Sequence, residues 1–435
     1  MLGNRAITGA IERLMREPIK VQTIKGMNNV FPGYDPEEPD FILNLDAFTN
    51  KLAIRDGYSK IASFTTCHSL ASFGEFLLCV GNGSSAQNLF KIDLNGLKTE
   101  LGSITGIDKL YYVSVDNDIF MSSKHWTKKL NKTSGVMSSW GIPIPVNAPN
   151  AVSSPGGDLP GGLYAICFTT KDGDQRSGQG PITYINVEDG DFLEITNLGA
   201  NEEVWISSQG DPEFYYFRAL NKIFSALGTT HLKSLDVIPP PNMQHLTHFL
   251  NRIWGTVKNK LYYSEPFALS WFKNVNIFPF ENDLTMVAKD AGGKGLYVGT
   301  EKDTWFISGE SIATLTAVKV GQGVIENTLS YGDFNGLTNI PIWTSFNGIF
   351  AGTSGELKKL TGRKLRYDAG AEGASFFREK DGEFQYGTIF TQPDIVVADA
   401  VSASIIKANT MFNSSFEEIL RDGAQVIDSL SSSTS

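Results

Sequence analysis

Read for the spacing of its apolar positions, the chain changes grammar twice. At the start Ile7, Ile11, Leu14 and Met15 fall at i, i+4, i+7 and i+8, one stripe of a helix that Pro18 ends. From about Phe31 the period becomes two, with short apolar and aromatic runs separated by Gly, Asn and Asp, as in FGEFLLCVGNGSSAQNLFKIDLNG over 73–96. The same pattern returns in IDKLYYVSVDNDIFMSS (107–123), HFLNRIWGTVKNKLYYSEP (248–266), GGKGLYVGTEKDTWFISGE (292–310), IPIWTSFNGIFAGTSGELKKL (340–360) and, more weakly, ASFFREKDGEFQYGTIF (374–390). Each copy reads as a β-hairpin, and spacings of roughly 35–50 residues suit one four-stranded blade apiece, so about six blades of a β-propeller are predicted.

The series breaks between residues 142 and 241. IPIPVNAPNAVSSPGGDLPGG leads into the break and IPPPN leads out of it, and the stretch between carries its own strand runs, GLYAICFTTKDGDQRSGQGPITYINV, FLEITNL and EFYYFRAL. Alternation of Tyr164, Ile166 and Phe168 against Ala165, Cys167 and Thr169 marks two-faced strands. The expected organisation is an N-terminal helix and arm (1–30), a first part of the propeller (31–141), an inserted β-sandwich module of fibronectin III or immunoglobulin type (142–241), a second part of the propeller (242–392) and a C-terminal segment (393–435). In that last segment Ser414 with Glu417 and Ser415 with Glu418 have capping-box spacing ahead of Ile419 and Leu420, predicting a short helix before a polar tail. The fold class is thus mainly β with short helical termini.

Composition narrows the chemistry. With 435 residues, 41% apolar and 19% charged, the chain has enough apolar material for a large core and is neither disordered nor a coiled coil. Its formal net charge of −10 has the wrong sign for holding nucleic acid by phosphate neutralisation. Cys67, Cys79 and Cys167 are odd in number and lack CxxC spacing, which predicts neither a disulfide framework nor a zinc site. Arg5, Glu12, Arg13, Arg16 and Glu17 interrupt the stretch a signal peptide needs, and no apolar run reaches about 18 residues, so no membrane span is expected.

No constellation of known chemistry stands out. There are five histidines and no GxSxG, no HExxH, and no phosphate-cradling glycine loop. His245 and His248 have a spacing that shares a metal on a helix, without a third ligand beside them. Asp116–Asn117–Asp118 and Asp172–Gly173–Asp174 read as turns and not as calcium loops. Glu265, Glu301 and Asp303 are the carboxylates a propeller glycosidase would have to pair, and Tyr262, Tyr263, Trp271 and Phe272 among Lys258, Lys260 and Lys273 form an aromatic and basic run that reads first as core packing. No cofactor, no metal and no enzymatic activity are expected.

One resemblance bears on function. LAIRDGYSKIASF (52–64), RIWGTVKNKLYYSEPFALSWFKNVNIFPF (252–280) and the following GGKGLYVGTEKDTWFISGE are together similar to the tail nozzle, or packaged-DNA stabilisation, proteins of short-tailed bacteriophages. That resemblance implies a structural virion protein, assembled in the host cytoplasm into a ring, hexameric by that resemblance, below the head-to-tail adaptor. It further implies contacts with tail fibre or tail-tip proteins, and DNA that is retained and then ejected through an axial channel without sequence-specific binding. The stripe of Ile7, Ile11, Leu14 and Met15 is the expected interface with a neighbouring subunit or the adaptor. The competing expectations are a carbohydrate-binding or carbohydrate-cleaving propeller and an intracellular scaffold propeller, the latter without any recurring WD or kelch signature.

Overall fold

The computed structural model describes residues 45–48, 51–54, 61–82, 87–106, 108–173, 175–207, 211, 213–217, 222–223, 230–334, 336–361, 370–380 and 383–390. The two helices expected at the termini, with Ile7, Ile11, Leu14 and Met15, lie outside them. Among the described residues the elements are strands, with a 3-10 turn at Ile312–Thr314 and no α-helix. Two compact units divide the chain, Ile61–Lys289 with Glu310–Leu315, and Asp290–Gly309 with the flanking segments Met1–Lys60 and Thr316–Ser435.

In the first unit the sheets are antiparallel meanders whose spatial order is their order in sequence. Cys67–Ser72, Phe76–Asn82, Gln87–Asp93 and Lys98–Ser103 form one. Tyr111–Val115, Asp118–Ser122, Thr127–Asn131 and Met137–Ser138 form the next. A third runs Gln244–Phe249, Arg252–Val257, Lys260–Ser264 and Phe272–Pro279, with Val237–Ile238 on its outer edge. The middle meander explains why its sequence reads as a continuous apolar run and not as strict alternation. Ile119 and Met121 point into a core shared with Leu78, Val80 and Leu89 of the first sheet. Phe120, between them, points the other way, into a core shared with Trp140, Met243, Ile253 and Phe272 of the third. Both faces are buried, so both registers of the strand must be apolar.

Between the second and third meanders stands a two-layered module. Ala151–Leu159, Asp191–Ile195 and Lys222–Ile223 make one sheet. In the other, Gly162–Asp172 is flanked by Thr183–Val187 and Glu202–Ser207, and Tyr215–Phe217 pairs with the latter. Leu159, Leu193 and Ile195 of the first layer meet Tyr164, Ile166, Phe168, Val204 and Ile206 of the second in one core. The module's return to the third meander depends on Gly178, where any Cβ would collide with the Val237 carbonyl.

The second unit repeats the hairpin theme. Gly295–Thr300, Asp303–Ser308 and Thr316–Gln322 are successive antiparallel strands. Ser330–Phe334, Leu337–Ser345, Gly348–Thr353 and Glu356–Lys359 form a four-stranded meander, and Gly373–Lys380 pairs with Glu383–Phe390. Tyr297 and Trp343 are both fully buried and pack at 5.4 Å between ring centroids. Asp290, also buried, accepts hydrogen bonds from the Gly292 N–H (3.1 Å) and the Ser354 N–H (2.7 Å), tying two turns of this unit together.

Candidate functional site

One of the three segments that carry the resemblance, 252–280, folds into the third meander, and its loop 265–271 presents the most exposed aromatic side chain of the described residues. The loop is held by a carboxylate. Glu265 accepts a hydrogen bond from Asn276 Nδ2 at 2.8 Å and stands 3.9 Å from both Arg252 and Lys273. Arg252 is itself fixed, donating to the Ser264 carbonyl at 2.5 Å and lying over the Tyr263 ring at 5.3 Å. Burial pulls the Arg252 guanidinium below its ordinary value while Glu265 opposes that shift. Burial likewise raises the Tyr263 phenol. Glu265 so engaged rivets the loop to its neighbours.

Phe267 is 82% exposed and Val275 80%, both between Glu265 and Asn276 along the chain. Phe267 also adopts φ 60°, and its N–H donates to the Asn251 carbonyl at 2.9 Å. A large apolar residue held in the left-handed region and in water runs against both backbone sterics and the hydrophobic effect. Such outliers persist where the side chain has another use. An exposed aromatic on a loop anchored by an arginine and a carboxylate has the make-up of a protein contact surface.

The other residues singled out from the sequence are dispersed. His245 and His248 sit on a strand, not a helix: His245, at φ 50°, occupies the irregularity between Gln244 and Thr247 and packs on Tyr111 at 4.6 Å. Burial, and secondarily Lys289, lower the His248 pKa. Asp116 and Asn117 form the two-residue turn between Val115 and Asp118, with Asp116 at φ 49°. Asp172 ends a strand before Gly173 at φ 60°, and Asp174 lies outside the described residues. Asp303 is engaged by Lys319 at 2.5 Å, and Glu301 is exposed beside it, both in the second unit, whereas Glu265 belongs to the first. Of the aromatic run, Phe272 and Tyr263 are buried, and Tyr263 packs on Trp254 at 4.8 Å and Phe278 at 5.6 Å. Among the described residues no three His, Cys, Asp or Glu side chains gather as a metal site would require. No helix among them is long and apolar enough to cross a membrane.

Two features escaped the sequence reading. Glu203, buried in the inserted module, receives Arg176 Nε at 2.5 Å and stands 3.6 Å from Lys171, with the Arg176 guanidinium over Trp205 at 5.7 Å. Cys67 and Cys79, twelve positions apart in sequence, come to the same face of the first meander as diagonal neighbours.

Comparison with known proteins leaves the chain without a family. No family model matches it, and no curated protein does. Among solved structures it is similar to a functionally unknown protein from Desulfotomaculum acetoxidans at 14% identity and TM-score 0.30, over 69% of this chain and 87% of that one. It is also similar to the Myceliophteria thermophila Cps50 (Swd1) β-propeller domain at 9% identity and TM-score 0.31, over 72% and 90%. Chaetomium thermophilum Sqt1 stands at 10% identity and TM-score 0.30, over 69% and 74%.

Proposed function

We propose that this chain is a structural component of a bacteriophage tail, a ring-forming nozzle below the head-to-tail adaptor that retains packaged DNA and conducts it during ejection. Within that reading the meanders are blades of a β-propeller, and the module between Met137–Ser138 and Val237–Ile238 is a fibronectin III-like insert. Its second, fifth and sixth long strands pair as C, F and G do in that fold. The observation that carries the reading is the Leu-Tyr-Tyr-Ser-Glu-Pro segment and its continuation: it folds as one sheet that buries Tyr263 and Phe272 and holds out Phe267 on a riveted loop, as a subunit made for contacts does. The net charge of −10 supports a conduit, because a wall that neutralised phosphates would bind the DNA it must release. Ile7, Ile11, Leu14 and Met15 are assigned to contact with the adaptor or a neighbouring subunit.

Electron cryomicroscopy of the virion that carries this chain tests the assignment. A ring of six copies at the tail is expected. A trimeric fibre, a twelve-copy ring, or absence of the chain from the particle would overturn it.

A further inference from the structure

The first meander opens with Cys67, which pairs across to Gly81 on the adjacent strand Phe76–Asn82. Residues two apart on a strand share a face, so Cys67, Gly81 and Cys79 all look to the same side of the sheet. Because Gly81 has no side chain, nothing rises from the position opposite Cys67; the Phe64 ring lies over that gap, 2.6 Å from where a Cβ would stand. The strand of Cys67 is held in place by its own irregularity between His68 and Ala71. There Ser69 takes φ 55°, its carbonyl accepts the Tyr112 hydroxyl at 2.8 Å and its hydroxyl accepts the Leu110 N–H at 2.8 Å. A bulge adds local twist, which draws diagonal neighbours across a strand pair together. Cys67 and Cys79 are thus diagonal neighbours on that face. Their surroundings differ: Cys67 is exposed and Cys79 is fully buried.

We propose that Cys67 and Cys79 form a thiol–disulfide site, in which exposed Cys67 takes an incoming small-molecule disulfide and buried Cys79 closes the bond within the chain. The Cys67 thiolate attacks one sulfur of a disulfide such as oxidised glutathione and expels one glutathione as thiolate, which takes up the proton that Cys67 released. Cys79 then attacks the Cys67 sulfur, its proton passing to the second departing glutathione. The protein pair loses two electrons and one disulfide outside the protein is reduced to two thiols, so the exchange balances. The order of attack follows from exposure, since Cys67 reaches solvent and Cys79 does not. The neighbouring Cys79 lowers the Cys67 thiol from its ordinary value, and Cys67 together with burial raises the Cys79 thiol. The more exposed and more ionised sulfur is the one an external reagent meets. Cys167, buried in the inserted module, is pushed up to about 12 by burial and is left a bystander.

Equilibrating the full-length protein with oxidised glutathione, blocking free thiols and mapping tryptic peptides by mass tests this directly, because Lys60 and Lys91 bound one peptide that contains both cysteines. That peptide is expected to become lighter by two hydrogens and to refuse the blocking reagent, while the Cys167 peptide stays fully blocked. In Cys79→Ser, glutathione is expected to remain attached to Cys67. If the unaltered chain keeps both thiols, or stops with glutathione on Cys67, the proposal fails. A Cys79→Ser protein that takes up no glutathione would overturn the assignment of Cys67 as the attacking thiol.

Discussion

Replacing Phe267 by glycine separates a residue that supports its own fold from one that serves a partner. With 82% of its surface exposed, Phe267 buries about a fifth of itself, worth roughly 0.3–0.5 kcal/mol on a scale where full burial contributes about 1.5–3. Its φ of 60° costs about 1–2 kcal/mol for a residue with a Cβ. Glycine relieves that strain and adds about 0.5–1 kcal/mol of unfolded-chain entropy. The balance for Phe267→Gly is a stability within about 1 kcal/mol of the unaltered protein, while Phe267→Ala, which keeps the strained φ and loses the ring, falls below it. The backbone bond from residue 267 to the Asn251 carbonyl survives in both. Chemical denaturation followed by tryptophan fluorescence reads this order, and sedimentation or particle assembly reads the second effect, a contact weakened by about 2 kcal/mol, or roughly thirtyfold, if the ring is an anchor in an interface. Should Phe267→Gly lose more than about 1 kcal/mol of stability with assembly unchanged, the ring belongs to the molecule's own packing and the argument is refuted.

Three further outcomes follow from the packing. Arg176→Ala should cost more than Glu203→Gln, about 3 against about 2 kcal/mol in denaturation, because the first leaves a carboxylate that is 6% exposed with only Lys171 at 3.6 Å while the second leaves cations that already reach water. Gly178→Ala should cost about 2–3 kcal/mol, since a Cβ there meets the Val237 carbonyl; unchanged stability would mean that the loop is free to move aside. The lowered His248 pKa makes the native state bind its proton later than the unfolded chain, so stability from this group is present above the ordinary histidine value and declines as pH falls through it. The difference in stability between pH 7.5 and pH 5 should therefore shrink in His248→Gln, and an equal or larger difference would contradict the assignment.

The hairpins were legible because their signals are local. Asp116–Asn117 between two apolar runs, or Asn259 after Lys258 at φ 54°, need only a few residues to announce a turn. Glu202–Ser207 was harder to see. Its sequence EEVWIS opens with two acids, one of which is buried only because Arg176, in another strand, comes to meet it. The pairing of Glu265 with Asn276 and Lys273, and of Cys67 with Cys79, likewise depends on which strands become neighbours and where a bulge falls. The spacing of His245 and His248 suggested a helix face, but a three-residue interval has no meaning as a shared face on a strand whose side chains alternate. Phe267 was not among the residues the sequence singled out; its conformation and exposure are properties of a loop and leave no periodic trace.

The inserted module leaves the chain close to where it arrived. Gly141 lies against Pro240, the Met243 N–H bonds the Ser122 hydroxyl at 2.8 Å, and Phe120, Trp140 and Phe272 pack together from either side of the interruption. The two meanders therefore meet as if the hundred or so residues between them were absent. Because loop-closure entropy grows only as the logarithm of length, roughly 0.6 kcal/mol for each doubling, such a detour weighs little on the host. In evolutionary terms this makes the position a socket: a lineage can lengthen, exchange or discard what is plugged in there, and so alter whatever the module touches, without renegotiating the sheets on either side.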